Sequence, residues 1–267
     1  MASAEAPDAS ASAPAKPSTD TDSDGHHDGG NDDRRLASRL TAEFVGTAFL
    51  LAAVVGSGIM AERLTDDVGL QLFQNAFATA GVLMALILTF AMASGAHFNP
   101  AVTLADWVLG GIDSATAAAY VAVQVAGGVV GVMAANVMFE LDPIYWSTKD
   151  RSSANLVFAE VIATIGLLLV IHGVVRSGQP TLAAFSVSGY IAGAYYFTSS
   201  TSFANPAVTV ARTFSDTFAG IRPASAPAFI VAQIVGALIA IGIIRVVYPR
   251  SAATEGAADS GVADEDS

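Results

Sequence analysis

The tripeptide Asn-Pro-Ala occurs twice in the chain, and it is the part of the sequence best suited to act on a passing molecule. The copies are Asn99-Pro100-Ala101 and Asn205-Pro206-Ala207, each inside the longer string NPAVT. Asparagine is a good N-cap and proline suits the first helical position, so each copy predicts a loop that leads into a helix. A helix N-terminus carries about half a positive charge and unpaired N–H groups. The repeated motif therefore predicts two sites that donate hydrogen bonds and repel cations.

Two glutamates stand early in apolar stretches of the sequence. Glu43 lies in TAEFVGTAFL and Glu160 in VFAEVIATIGLLL, and each is followed four residues later by a threonine. A carboxyl group within a membrane segment is costly and indicates a specific role. One interpretation is a proton relay or a coupling site. The other is a carboxylate that accepts hydrogen bonds from the N–H groups of a neighbouring loop.

The elements that carry these residues have the composition of a membrane protein. The chain has 267 residues, of which 53% are hydrophobic and only 13% charged, and its mean hydropathy is +0.54. Apolar runs of about 20 residues, enough for a helix to cross a bilayer, lie near residues 40–61, 71–93, 115–139, 155–176, 181–199 and 226–248. Each NPAVT stretch follows the second or the fifth run and is too short to span. The sequence therefore predicts an all-α membrane protein with six transmembrane helices and two half-spanning re-entrant helices.

The order of these runs predicts an inverted repeat. Repeat one covers residues 40–139 and repeat two residues 155–248; because each has three spanning helices, the second enters the membrane upside down. Such repeats place the functional path at their interface, near the midplane. The membrane domain of residues 36–250 is flanked by acidic stretches, residues 1–35 and 251–267, which we expect to be disordered tails.

Charge and composition narrow the partners and the location. The net charge of −12 argues against nucleic acid. Six crossings put both termini on one side, and Arg34, Arg35 and Arg39 before the first run favour the cytoplasmic face of the cell membrane. The sequence has no cysteine, and it shows no nucleophile–base pair, metal-ligand spacing or phosphate loop. We therefore expect no enzyme, no metal and no cofactor. A secondary transporter that uses Glu43 and Glu160 for coupling remains the alternative.

The strings AEFVGT, SGAHFNPAVT and the second NPA together resemble the aquaporin/major intrinsic protein family, over about residues 36–248. The resemblance implies a narrow pore for water and small neutral solutes, with the two half-helices meeting at the midplane. It also implies a homotetramer with one pore per subunit, in contact with membrane lipid. Glu43 and Glu160 then support the re-entrant loops. These loops are expected to line the pore at Gly95, Ala96, His97, Thr201 and Phe203.

The outer constriction departs from the pattern of most family members, which carry arginine directly after the second NPA. Here that position is Val208, and by family spacing the constriction maps to Thr79, Gly193, Ser202 and Val208. None of the four is charged or aromatic, so the resemblance implies a wider filter that admits glycerol, urea or undissociated metalloid acids such as arsenite. The sequence of residues 199–221 resembles that of a subgroup of these channels linked to arsenic resistance. Arg212, one helical turn beyond Val208, is hypothesised to replace the missing arginine in part.

Overall fold

The structure, a computed structural model, describes residues 29–249, with side chains from residue 32. Over this range the chain is helical and contains no strand. The helices are α1 (Gly29–Leu64), α2 (Val68–Ser94), α3 (Pro100–Val108), α4 (Ser114–Met138), α5 (Ala154–Arg176), α6 (Ala183–Phe197), α7 (Pro206–Ala211) and α8 (Ala226–Val247). Three short 3-10 segments, Pro180–Leu182, Arg212–Phe214 and Pro223–Ser225, precede α6, follow α7 and precede α8. The all-helical fold predicted from the apolar runs is confirmed.

Five helices in the described range, α1, α2, α4, α5 and α8, are long and apolar enough to cross a membrane. The sixth predicted crossing, α6, is shorter, with 15 residues. Its α-helical part extends about 22 Å, and the preceding 3-10 segment adds about 6 Å. The sum approaches the hydrocarbon thickness of about 30 Å. The 3-10 turn therefore accounts for the missing length.

The first helix begins before the predicted start of the membrane domain. Helix α1 begins at Gly29, with Asp32 in its first turn, whereas the membrane domain was expected to begin at residue 36. An acidic residue in the first turn stabilises a helix N-terminus, which explains why the helix extends into this polar stretch. The rest of the predicted N-terminal tail, residues 1–28, and the predicted C-terminal tail lie outside the described residues.

The packing of the helices follows the repeat. Helix α1 packs along α4 and α2, and in the second repeat α5 packs along α8 and α6. The repeats meet where α2 packs on α6, and each of the short helices α3 and α7 contacts both α4 and α8. Glycines make the closest contacts possible: a Cβ on Gly131 would overlap the carbonyl oxygen of Ala48 in α1, and one on Gly127 that of Phe44. Small residues at such positions bring membrane helices close together.

Candidate functional site

The two repeated asparagines form one hydrogen-bonded junction. Asn99 Oδ1 accepts from the Ala101 N–H of its own helix at 2.8 Å, while its Nδ2 donates to the Ala204 carbonyl of the other repeat at 2.8 Å. Asn205 repeats the pattern: Oδ1 accepts from Ala207 N–H at 2.9 Å, and Nδ2 donates to the Phe98 carbonyl at 2.8 Å. Each amide therefore caps its own helix and holds the loop of the opposite repeat.

Proline occupies the first position of both short helices, at Pro100 and Pro206. Its fixed φ and missing N–H fit that position. Because the N-cap asparagines of α3 and α7 are joined through the crossed bonds, the N-termini of the two helices meet at the junction. Their partial positive charges face each other. Only one amide hydrogen of each asparagine is used in the cross-repeat bond, and both side chains border a cavity.

Glu43 and Glu160 lie beneath the two loops. The Glu43 carboxylate accepts from His97 N–H at 2.9 Å, Phe98 N–H at 2.7 Å and Ser94 Oγ at 2.6 Å. The Glu160 carboxylate accepts from Phe203 N–H at 2.9 Å and Ala204 N–H at 2.7 Å. Gln124 and Gln233, one in the last helix of each repeat, also donate to these carboxylates. Neither carboxylate borders the cavity, so the geometry gives no support to a coupling role.

The loops above the glutamates have an unusual backbone. Positive φ angles occur in the first loop at Gly95, Ala96 and Phe98, and in the second at Thr201, Ser202 and Ala204. This conformation costs an L-residue about 1–2 kcal/mol, so it persists only where other contacts enforce it. The hydrogen bonds from Phe98 N–H to Glu43 and from Ala204 N–H to Glu160 are such contacts.

A cavity of about 220 Å³ runs between the repeats and borders both asparagines. We call its two ends the tail end, on the side where α1 begins and α8 ends, and the loop end, on the side of the 139–153 loop. Apolar side chains from α1, α2, α5 and α6 form most of the wall, including Leu50, Leu83, Leu167 and Val187. Of the five loop positions expected to line the pore, four border the cavity: Gly95, Ala96, His97 and Phe203. Thr201 does not, but its neighbour Ser202 does.

Three of the four predicted constriction residues, Thr79, Ser202 and Val208, border the loop end of the cavity. Gly193 does not: it is exposed on the outer face of α6, with no atom within 4 Å of the position of a Cβ. Tyr195 takes its place, and its hydroxyl donates to Thr79 Oγ1 at 3.2 Å. Side chains two positions apart on an α-helix point about 200° apart, so an error of two residues in the alignment to the family selects the opposite face of α6.

The sequence did contain a signal for this correction. Ala183, Val187, Ile191 and Tyr195 recur every four residues in α6, and all four border the cavity. Residues three or four apart share a helix face. The periodicity of α6 therefore selects Tyr195, whereas counting back from Asn205 selected Gly193.

Arg212 borders the loop end and is only 2% exposed. Its Nε donates to the Ala219 carbonyl, and its Cζ lies 3.5 Å from the centroid of the Phe203 ring. With Tyr195 in place of Gly193, one of the four constriction positions is aromatic, and Phe203 and Arg212 add a second ring and a charge beside them. Phe203 was expected to line the pore and Arg212 to replace the missing arginine in part; Tyr195 was missed because counting back from Asn205 selected Gly193.

Arg151, from the 139–153 loop, joins the same cluster and was not identified from the sequence. It is 8% exposed, its Nε donates to the Gly220 carbonyl at 2.9 Å, and its Cζ lies 5.0 Å from the Phe203 centroid. Within residues 32–249, neither Arg151 nor Arg212 has a carboxylate within salt-bridge distance. The loop end therefore carries two buried positive charges.

The tail end has a different polar group. His97 Nδ1 lies 3.1 Å from Thr103 Oγ1, and His97 Nε2 lies 3.6 Å from Asp106 Oδ2. Asp106 and His172 border the cavity at this end. Among the described residues no group of three or more His, Cys, Asp or Glu side chains is arranged to hold a metal ion.

Comparisons with known proteins agree with this architecture. The family model described as "Major intrinsic protein" matches residues 33–189 and 178–265. Aquaglyceroporin AqpS of Rhizobium meliloti (strain 1021) is 44% identical over 210 residues, which is 79% of this chain and 90% of that protein. Probable aquaporin NIP4-2 of Arabidopsis thaliana is 30% identical over 149 residues, and the chain spans 52% of its length. The X-ray structure of the aquaglyceroporin from Plasmodium falciparum shares the fold, with a TM-score of 0.66 at 23% identity, over 80% of this chain and 98% of that one.

Proposed function

The chain belongs to the major intrinsic protein family, and from that premise we propose that it passes small neutral solutes larger than water, such as glycerol, urea or undissociated metalloid acids. It is a membrane channel for water and small solutes and not an enzyme. The proposal concerns which solutes pass and which residues select them. Support comes from AqpS, whose name describes it as an aquaglyceroporin.

The observation that carries the solute proposal is Val208. This uncharged side chain follows the second Asn-Pro-Ala and borders the cavity. A branched aliphatic group offers apolar contact to the carbon backbone of a polyol and no hydrogen bond that favours water. Ser202 Oγ is buried without a hydrogen-bond partner among the described residues, and Thr79 lies opposite on α2. A solute at this level finds polar groups on one part of the wall and apolar groups on another.

The asparagine junction is proposed as the barrier to ions. Two positive helix ends repel cations and protons, while the free amide hydrogens of Asn99 and Asn205 offer hydrogen bonds to a neutral solute. The loops at Gly95, Ala96, His97 and Phe203 offer carbonyl acceptors, and Glu43 and Glu160 fix these loops. Because the rest of the wall is apolar, binding stays weak and release is fast.

Assembly and orientation are part of the proposal. We place the tail end in the cytoplasm, because Arg34, Arg35 and Arg39 precede the apolar part of the first helix. The apolar side chains exposed on the outer faces of the helices, Phe73, Phe77 and Met92 among them, then contact lipid or neighbouring subunits of a homotetramer in the cell membrane.

The test is stopped-flow light scattering on proteoliposomes containing the full chain. Osmotic shocks with an impermeant sugar measure water flux, and gradients of glycerol, urea and arsenous acid measure solute flux. We expect glycerol and at least one other solute to enter several-fold faster than into protein-free vesicles, with a low activation energy. Rapid water flux with solute entry equal to that of bare lipid would overturn the solute proposal.

A further inference from the structure

At each end of the cavity two side chains occupy equivalent positions of the two repeats, but one end has an acidic residue where the other has an arginine. Asp106 follows Asn99 by the same number of residues as Arg212 follows Asn205, and His97 and Phe203 each precede their asparagine by two. The paired side chains touch at both ends: His97 Nε2 lies 3.6 Å from Asp106 Oδ2, and Arg212 Cζ lies 3.5 Å from the Phe203 centroid. The repeat therefore builds a donor group at the loop end and an acceptor group at the tail end.

The acceptor group has unused hydrogen-bonding capacity. The Asp106 carboxylate accepts no hydrogen bond from the described residues, since its contact with His97 is too long to count as one. A carboxylate offers about four acceptor sites. His172, on α5, borders the same end, and its Nε2 is buried with no hydrogen-bond partner in the described part of the chain. A buried polar atom such as His172 Nε2 normally has a partner, supplied by water or a ligand where the protein offers none, and the Asp106 side chain, 29% exposed, is open to the same occupant.

Four other charged groups close to this end already have hydrogen-bond partners, and one of them, Arg245, donates to the Val108 carbonyl at 3.3 Å. The Glu43 carboxylate is occupied by the first loop and by Gln124. Arg39 donates to Tyr120 Oη at 2.8 Å, and Arg176 donates to the Tyr248 carbonyl at 2.7 Å. The free acceptors of Asp106 are therefore not committed to a neighbouring cation.

We propose that Asp106, His97 and His172 form a binding site for a neutral solute with several hydroxyl groups, a polyol or an undissociated oxyacid, at the tail end of the pore. The inference rests on the proposed function. Hydroxyl groups match the site because they donate to a carboxylate and can both donate to and accept from imidazole nitrogens. An anion is repelled by Asp106. A solute leaving the asparagine junction exchanges those hydrogen bonds for bonds to this site before it reaches bulk water.

The experiment measures how glycerol occupancy slows water. Proteoliposomes of the full chain are equilibrated with the same glycerol concentration inside and outside, and an impermeant sugar then drives water flux. In a narrow pore a bound solute blocks the water behind it, so water permeability falls as glycerol rises. In Asp106→Ala and His172→Phe, we expect the glycerol concentration for half this effect to rise about fivefold, as one lost hydrogen bond of typical net strength predicts. Water permeability without glycerol is measured for each variant and serves as the reference for its own glycerol dependence.

The matched control is Asp66→Ala, which removes an exposed acid at the opposite end. Within residues 32–249 no hydrogen bond to its carboxylate occurs, so the glycerol dependence should stay unchanged. Should Asp106→Ala fail to fold, Gly111→Ala displaces the same carboxylate, because its Cβ would overlap the Asp106 side chain. Glycerol entry in all variants combined with an unchanged half-effect concentration would refute the site while leaving the proposed function intact. If potassium chloride slows water flux as much as glycerol does, and if this effect also depends on Asp106, the site binds cations and the proposal of a neutral-solute site is refuted. No glycerol entry in the unaltered protein would refute the proposed function itself.

Discussion

Arg151 and Arg212 donate hydrogen bonds to adjacent carbonyl groups of the chain, those of Gly220 and Ala219. Both guanidinium groups also lie against the ring of Phe203. Burial of two like charges without a carboxylate is costly. Here the carbonyls of Gly220 and Ala219, a third carbonyl at Ser200 that accepts from Arg151 at 3.2 Å, and the aromatic ring compensate for it. The arrangement fixes positive charge at the loop end although valine follows the second Asn-Pro-Ala.

Loss of the Arg212 charge should increase cation leak. Two unit charges about 10 Å apart interact by about 1.5 kcal/mol at an effective dielectric constant of about 20, which corresponds to about tenfold in rate. We expect Arg212→Gln to raise potassium leak from proteoliposomes by about this factor. Arg222→Gln is the control, since Arg222 is an exposed arginine 3.1 Å from Asp150 at the same end. Equal leak in the two variants would contradict a guarding role for Arg212.

Arginine at position 208 should reduce solute flux more than water flux. The added side chain would enter the cavity beside Arg212 and narrow it, and glycerol has a larger cross-section than water. In stopped-flow assays we expect Val208→Arg to lower glycerol permeability at least several-fold more than water permeability. Val208→Leu adds bulk without charge and separates the two causes. Equal losses of glycerol and water flux in Val208→Arg would argue against Val208 as a selecting residue.

Removal of a loop-supporting carboxylate should destabilise the protein strongly. Glu160→Ala leaves the N–H groups of Phe203 and Ala204 and the amide of Gln233 without their acceptor. Each unpaired buried donor costs about 1–3 kcal/mol, so a loss of about 3 kcal/mol or more is expected. Thermal unfolding in detergent measures it. Glu62→Ala, which removes one exposed hydrogen bond to Phe218 N–H, is the control and should change the melting temperature little.

Two glycines provide a matched test of helix packing. In Gly131→Ala the new methyl group would overlap the Ala48 carbonyl and separate α4 from α1, so a clear fall in melting temperature is expected. In Gly242→Ala the methyl group meets nothing within 4 Å, and a gain of about 0.5–1 kcal/mol from reduced backbone entropy is expected. A similar response of both variants would show that the α1–α4 contact does not depend on close approach.

The amine of Lys149 should titrate near pH 8. Burial, together with the charges of Arg151 and Arg212, lowers the pKa of Lys149 to about 8. Between this value and the ordinary pKa near 10.5, the folded protein has released a proton that the unfolded chain still binds. The contribution of Lys149 to stability therefore increases as pH rises through this window. Acylation of Lys149, followed by mass spectrometry, should show a midpoint near pH 8 in the folded protein, and a midpoint near 10.5 would contradict this.

The sequence predicted the parts of the site that depend on local or repeated patterns. The two Asn-Pro-Ala strings predicted caps, because an N-cap is decided within three residues. Glu43 and Glu160 were visible because a carboxyl group is rare in an apolar run. Arg151 was not visible: its hydrogen bond to Gly220 joins residues that are 69 positions apart. Gly193 was chosen by counting through a segment whose length relative to the family is not given by the sequence.

The crossed amide bonds of the junction also have a consequence for the order in which the protein is made. Until the second repeat has left the ribosome and entered the bilayer, the Phe98 carbonyl has no Asn205 amide to accept from, and the Asn99 amide has no Ala204 carbonyl to bind. The first loop of a nascent chain therefore cannot complete its bonding before translation of the second loop.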